Sequence, residues 1–322
     1  MAAQRQPLTG LRPQAYEHPL DRKALDALQQ TRGLDTLVRK LNEWGFERVL
    51  RVQLTGSYLR VGPDSFPDVH RMVESACAML DLPKRPEVYI AAGDQINAFT
   101  AGVERTIVVL TAGAVDRLGD DELFFVVAHE IGHIKSGHVL YYQIAEFMPV
   151  IGEVIGSATF GIGELLSTGL QMALLHWKRT SEFTADRAGL LACQDVEAAW
   201  SALIKIAGLP DRYRDRSNSA DFLQQAREFD ALGNDALGWV AKALAGAGQT
   251  HPWTVLRAKQ LLEWIESGAY ERVLAAPQDL PLELPPGVTM FCNQCGRGLA
   301  GSELFCPGCG ARVANAAALA RR

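Results

Sequence analysis

The segment HEIGH holds two histidines and a glutamate whose types and spacing are typical of a catalytic metal site. His129 and His133 lie four positions apart, so on a helix their side chains project from one face and can bind one cation. Glu130, next to the first histidine, is placed to take a proton from metal-bound water and pass it to a leaving amine. This division of roles favours hydrolysis of peptide bonds by zinc-activated water, with Glu130 as the general base.

A tetrahedral zinc with one open position needs a third protein ligand. The segment SEFTADRAG offers Glu182, and Asp186 follows one turn later on the same face of a predicted helix. A carboxylate at position 186 can accept the free N–H of a zinc-bound histidine and thereby fix its tautomer. The spacing alone leaves an alternative open, in which both carboxylates form a solvated acidic edge that pairs with Lys178 and Arg187.

The histidine pair lies in a predicted helix that extends from Asp120 to Gln143 and whose early acidic residues complement the helix dipole. The apolar run LFFVVA before the pair favours a central helix over a surface helix with incidental histidines. In one continuous helix His138, five positions after His133, turns away from the ligand face. A structural or packing role is therefore expected for His138.

The remaining patterns predict a mostly helical chain with a small sheet. Apolar spacing predicts helices over 66–80, up to about 193, over 200–209 and over 221–245. The runs EVYIA and TIVVLT predict two short strands of one sheet. Alternation of apolar and polar residues over 48–61 predicts a further, half-buried strand.

The stretch 147–175 is rich in Gly, Ile and Leu, which raises the question of a membrane. Pro149, Glu153 and Glu164 interrupt it, so it contains no run of about 20 uncharged apolar residues. A helical hairpin that is buried, or that makes peripheral contact with a membrane through 147–175, is expected instead of a pair of spans.

Four of the six cysteines fall in two similar segments, FCNQCG and FCPGCG. This spacing predicts a zinc ribbon in which a structural zinc is bound by the thiolates of Cys292, Cys295, Cys306 and Cys309. So short a module cannot bury enough apolar surface to fold without its metal. Cys77 and Cys193 lie in apolar helical contexts and are expected to be small buried side chains.

The charge of the chain excludes one class of partner. The 322 residues carry a formal net charge of -5, which gives no electrostatic case for binding the phosphate backbone of nucleic acid. The polar, proline-containing N-terminal segment lacks the apolar core of a secretory signal, so a cytoplasmic location is expected. Proteins or peptides are the expected substrates.

Together, these motifs resemble the zinc metallopeptidases that include the CaaX prenyl proteases and the bacterial HtpX heat-shock proteases. The resemblance covers roughly residues 66–261 and has four parts. They are an Asn-Ala-Phe stretch, an acidic entry to the HExxH helix, a downstream ExxAD, and a His-Pro with an Arg six residues after the His. In this chain they are Asn97, Ala98 and Phe99; Asp120 to Leu123; Glu182, Ala185 and Asp186; and His251, Pro252 and Arg257.

The resemblance implies an α+β, mostly helical fold of the gluzincin type with a small sheet. It makes Glu182 the third zinc ligand. It also implies an edge strand that pairs with an extended substrate through main-chain hydrogen bonds. The residues placed near that strand are Asn97, Ala98 and Phe99.

Two further roles follow from the resemblance. His251 would stabilise the oxyanion of the tetrahedral intermediate, and Arg257 would orient His251. This chain lacks the clean membrane spans of the membrane-embedded relatives. The resemblance therefore supports proteolysis but does not extend to prenylated substrates.

The expected organisation is an N-terminal helical and β segment over 1–63, a metallopeptidase domain over 64–272, a proline-rich linker over 273–289, a zinc ribbon over 290–312 and a tail over 313–322. The expected activity is zinc-dependent endoproteolysis, with one catalytic and one structural Zn²⁺. The alternative is a catalytically silent scaffold in which the zinc ribbon mediates protein interaction. The intact Glu130 favours the enzyme, because a scaffold has no physical need for a general base.

Overall fold

The computed structural model describes residues 5–30, 34, 45–103, 105–145, 168–216, 218–231, 252–275, 290–291 and 298–300. Helices dominate these ranges, which confirms the mostly helical fold class. The α-helices are Pro19–Gln29, Phe46–Ser57, Pro67–Met79, Ala112–Arg117, Asp120–Lys135, Thr168–Cys193, Val196–Ile206, Ser219–Ala231, Thr254–Glu266 and Ala269–Ala275. Two short 3-10 helices span Pro13–Ala15 and Asp211–Arg216.

A four-stranded sheet lies beside the helices. Its strands are β1 (Leu59–Arg60), β2 (Glu87–Ala91), β3 (Ala98–Ala101) and β4 (Ile107–Thr111), in the order β1-β2-β4-β3. The two strands predicted from EVYIA and TIVVLT are β2 and β4, which pair in parallel at the centre. Strand β3 pairs with β4 in the antiparallel sense and forms one edge of the sheet.

The helix that carries the histidine pair, Asp120–Lys135, is called the HEIGH helix below. Its residues from Leu123 to Lys135 are all buried, so it is central and not a surface helix. It is shorter than predicted, because the chain turns at Gly137, where φ is 75°. A second helical run covers residues 139–145. The expectation of one continuous helix to Gln143 was therefore wrong.

The HEIGH helix packs closely against Thr168–Cys193, called the long helix below. At the crossing, a Cβ atom added to Gly132 would lie 2.5 Å from the Cβ of Ala188. A Cβ added to Gly189 would lie 2.9 Å from the ring of Phe125. Glycines on both helices thus allow the two backbones to approach, and this approach brings Glu182 opposite the histidine pair.

The strand predicted over 48–61 was wrong for most of its length, because Phe46–Ser57 is a helix and only Leu59–Arg60 is a strand. Leu50 and Leu54 are buried at helical spacing, with 6% and 3% of their surface exposed. Val49 and Val52 on the other side are 66% and 68% exposed. The apparent alternation came from these exposed valines.

Several predicted features fall wholly or largely outside the described residues. They are the proline-rich linker, all four ribbon cysteines, His251 and most of the stretch 147–175. Within the range predicted for the ribbon, β5 (Met290–Phe291) and β6 (Gly298–Leu299) form an antiparallel pair, and β5 ends directly before Cys292. Cys77 and Cys193 are buried as predicted, and burial raises the pKa of both thiols to about 12. None of the described helices has the length and apolar character to span a membrane.

The helix crossing generates a stability prediction. Gly132→Ala is expected to lower the free energy of unfolding by about 1–3 kcal/mol, because the added methyl group overpacks the contact with Ala188. The matched control is Gly56→Ala, since a Cβ at this helical position meets nothing within 4 Å. The control should be neutral or stabilising by up to about 1 kcal/mol. Urea unfolding monitored by circular dichroism measures both, and equal effects would contradict the packing argument.

Candidate metal centre

Three side chains from two helices converge on one point in the buried interior. His129 Nε2 and His133 Nε2 lie 3.2 Å apart. The Glu182 carboxylate faces both rings, with Oε2 3.5 Å from His129 Nε2 and Oε1 3.4 Å from His133 Nε2. Their burial is nearly complete, at 5%, 3% and 2% exposure respectively. The structure therefore brings together the three residues predicted as ligands of the catalytic zinc.

The second carboxylate of the ExxAD segment fixes the tautomer of the first histidine. Asp186 Oδ1 lies 3.0 Å from His129 Nδ1. A carboxylate oxygen accepts a hydrogen bond, so Nδ1 carries a proton and Nε2 is the nitrogen left to bind a cation in the cluster. The acidic edge that was left open as an alternative is wrong for this pair, because Glu182 and Asp186 are buried at 2% and 1% exposure.

The electrostatics of the cluster suit a cation. Burial disfavours a charged imidazole at His129, but hydrogen bonding to Asp186 and Glu182 outweighs it and raises the pKa of His129 to about 9. Burial lowers the pKa of His133 to about 4. Two imidazole nitrogens and a carboxylate at this separation repel one another unless a positive charge lies among them. This donor set of two nitrogens and one oxygen fits zinc.

Arg257 contacts the carboxylates of both Asp186 and Glu182. Its Nε donates to Asp186 Oδ2 at 2.9 Å and its Nη2 to Asp186 Oδ1 at 2.5 Å. Its Nη1 lies 3.5 Å from Glu182 Oε2. Burial favours the neutral form of Asp186, but the Arg257 guanidinium outweighs it and keeps the pKa of that carboxyl low. The resemblance predicts that Arg257 orients His251, which lies outside the described residues, so that role stays a prediction. The described contacts of Arg257 are with Asp186 and Glu182.

Glu130 lies in the same cavity as His129 and Glu182. This cavity has a volume of about 230 Å³, and its wall includes His129, Glu130 and Glu182. Burial raises the pKa of Glu130 above its ordinary value. Thr100 Oγ1 donates a hydrogen bond to Glu130 Oε2 at 2.5 Å. No motif marked Thr100, although the alternation of β3 turns its side chain to the same face as that of Ala98.

The residues predicted near the substrate strand divide between two faces of the sheet. Asn97 and Ala98 line the cavity, and Ala98 begins β3. The Phe99 side chain packs instead with a separate core cluster that includes Tyr89. Tyr142, which the sequence did not single out, also lines the cavity, and its ring centroid lies 5.2 Å from that of His133.

Comparison with known proteins defines the class of this site. Residues 63–265 match Peptidase family M48. The chain is 29% identical over 262 residues to the plastoglobule-localized metallopeptidase 48 of Arabidopsis thaliana, which covers 80% of this chain and 74% of that protein. No solved structure gives a significant match.

HtpX-type proteases are also similar to this chain. The chain is 31% identical to protease HtpX homolog 2 of Methanosarcina mazei, over 49% of this chain and 60% of the relative. It is 30% identical to the protease HtpX homolog of Burkholderia thailandensis, over 64% of this chain and 76% of the relative.

The fold and the site define a metallopeptidase with a gluzincin-type core. The chain belongs to Peptidase family M48 and is related to its HtpX-like members.

The ion pair between Arg257 and Asp186 generates a second prediction. Arg257→Leu is expected to lower the free energy of unfolding by about 3–5 kcal/mol, because it leaves the buried Asp186 carboxylate without its guanidinium. The control is Arg227→Leu, which removes an exposed contact with Glu266 at 3.4 Å and should cost less than about 1 kcal/mol. Chemical unfolding of both variants gives the comparison. A cost for Arg257→Leu as small as that of the control would refute the structural role assigned to the ion pair.

Proposed function

We propose that this metallopeptidase is an endopeptidase that cleaves protein substrates with one zinc ion held by His129, His133 and Glu182. The observation that supports this most directly is the convergence of the three ligand atoms, all within 4.8 Å of one another, on a cavity that also contains Glu130. These three ligands would leave a bound zinc ion able to take up a water molecule.

Zinc bound there would supply a Lewis acid that lowers the pKa of a coordinated water and polarises the scissile carbonyl. The other steps belong to the protein. Glu130 accepts the proton of the attacking water and delivers it to the leaving amine. Burial raises the pKa of Glu130 above its ordinary value, which makes its carboxylate a stronger base for this proton transfer. The Thr100 hydroxyl keeps Oε2 of Glu130 in place.

The edge strand β3 is the proposed binding site for the substrate backbone. Asn97 O accepts the Thr111 N–H at 3.0 Å. The alternation of an antiparallel ladder then turns the main-chain groups of Phe99 towards β4 and those of Ala98 and Thr100 towards the outer edge. An extended peptide can add to this edge by main-chain hydrogen bonds. This mode of binding requires an unfolded segment of a protein or a peptide.

The proposal keeps several residues in the roles predicted from sequence. His251 stabilises the oxyanion, with Arg257 to orient it, and Asp186 fixes the tautomer of His129. The contacts of Arg257 with Asp186 and Glu182 add a second role, in which Arg257 positions the ligands. The four cysteines hold a second, structural zinc in a ribbon over 290–312, joined by the linker 273–289 to a peptidase domain over 64–272. The antiparallel pair β5 and β6 supports the ribbon, because β5 leads directly into Cys292. A cytoplasmic location and peripheral membrane contact through 147–175 stay predictions.

The third prediction concerns the general base. Glu130→Gln should lower the rate of casein hydrolysis by about 10²–10⁴-fold, because the amide cannot accept the proton of water. The zinc content of the purified protein should stay at the wild-type level, since Glu130 is not a ligand. The matched control is Glu271→Gln at an exposed helical position, which should retain full activity.

A chelator completes this experiment. Removal of zinc from the wild-type protein should abolish casein hydrolysis, and added zinc should restore it. Equal rates for wild type, Glu130→Gln and the chelated protein would disprove the proposed mechanism and favour the scaffold alternative.

A further inference from the structure

A segment outside the residues that match the peptidase family packs against the metal centre. The match begins at residue 63, whereas the helix Pro19–Gln29, called the first helix below, lies before it. The first helix packs on the long helix. Its Asp21 is completely buried, with 0% of its surface exposed. A buried carboxylate is costly unless it is paired, so its partners are informative.

The partners of Asp21 lead to a predicted zinc ligand. Asp21 Oδ2 lies 3.1 Å from His138 Nε2. The other ring nitrogen of His138, Nδ1, lies 2.9 Å from Nδ1 of His133. His138 is itself 1% exposed and packs edge-on against the ring of Trp177. A continuous row of polar groups thus extends from the first helix to His133.

The chemistry of these groups fixes where the protons lie when His133 binds a metal. A carboxylate oxygen 3.1 Å from His138 Nε2 favours the tautomer in which this nitrogen carries the hydrogen. In a neutral imidazole the other nitrogen is then an acceptor, and His138 Nδ1 accepts the hydrogen of His133 Nδ1. This leaves the lone pair of His133 Nε2 directed at Glu182 and His129, as a ligand requires.

Local structure explains how both residues reach this position. The end of the HEIGH helix is a Schellman motif, in which His138 N–H donates to His133 O at 2.9 Å and Gly137 N–H donates to Ile134 O at 3.1 Å. Gly137 adopts the left-handed conformation that this motif requires, with φ of 75°. The resulting turn brings His138 back beside His133.

The first helix is anchored to the long helix by polar contacts. The His18 N–H donates to Thr184 Oγ1 at 3.0 Å, and the same hydroxyl donates to Asp21 Oδ2 at 2.5 Å. Arg187 Nη1 donates to Tyr16 O at 3.2 Å. These contacts hold Asp21 against His138 from a part of the chain that is more than 100 residues away in sequence.

We infer that Asp21 is a positioning residue for the catalytic zinc, which acts through His138 to fix the tautomer and orientation of His133. The inference rests on the proposed role of His133 as a zinc ligand. It makes the first helix a part of the metal centre, with Asp21 and His138 supporting the second histidine as Asp186 supports the first.

The test measures zinc affinity of the full chain by competition with a chelator. Asp21→Asn removes the charge and keeps the shape, and it should raise the dissociation constant for zinc about tenfold. Asp26→Asn, an exposed position on the same helix, should leave the constant unchanged. His133→Ala defines the zinc that belongs to any other site in the chain. Equal constants for the Asp21 and Asp26 variants would overturn the inference.

A double-mutant cycle separates positioning from general stability. His138→Ala should also weaken zinc binding, and Asp21→Asn added to His138→Ala should weaken it no further, because the effect passes through His138. Additive losses would overturn the inference. Should Asp21→Asn fail to fold, His138→Ala is compared with His176→Ala at an exposed position. Equal zinc affinities for the His138 and His176 variants would again overturn the inference.

The same measurements distinguish the two proposals. If His133→Ala binds as much zinc as wild type, the proposed metal site itself is wrong. If His133→Ala loses one zinc while Asp21→Asn binds like Asp26→Asn, the metal site stands and the role of Asp21 is wrong.

Discussion

The close approach of two helices is the constraint on which the rest of this structure depends. Gly132 and Ala188 let the HEIGH helix and the long helix pack with little room for a further methyl group. That distance brings Glu182 within 3.5 Å of both imidazoles. The packing therefore holds together electron-pair donors that would separate in water, and a cation offsets their repulsion. Metal affinity is in this sense a consequence of helix packing.

Polar groups in the interior support this arrangement from two sides. On one side Arg257 and Asp186 hold His129, and on the other side Asp21 and His138 lie against His133. A buried polar network destabilises the fold when one member is missing, and it favours a single arrangement of the interior when all members are present. The network explains why helices far apart in the sequence must dock before the centre has its geometry.

Residues of the site were predictable from sequence where local spacing reveals them, and not where only a tertiary contact brings them to the site. His129 and His133 were predictable because their spacing matches one helical turn. The shared helix face of Glu182 and Asp186 left an acidic edge open as an alternative, and the resemblance to the metallopeptidases decided for a ligand. Asp21 and Thr100 were not predictable, since each meets the centre through a tertiary contact that no local spacing encodes. The predicted direction of the His138 side chain was wrong, because the chain turns at Gly137 and ends the helix that the apolar pattern seemed to continue.

In the proposed mechanism β3 has two tasks that a single strand can combine. The main-chain groups of Thr100 face the outer edge, where an extended substrate would bind, while its hydroxyl donates to Glu130. The main chain of Thr100 would thus contact the substrate backbone, while its side chain contacts Glu130, the general base. A substrate on this edge would therefore lie beside the residue that holds the general base. In the proposed mechanism Thr100 thus links the binding of an extended chain to the placement of the base, and an extended chain is what a flexible segment of a protein supplies.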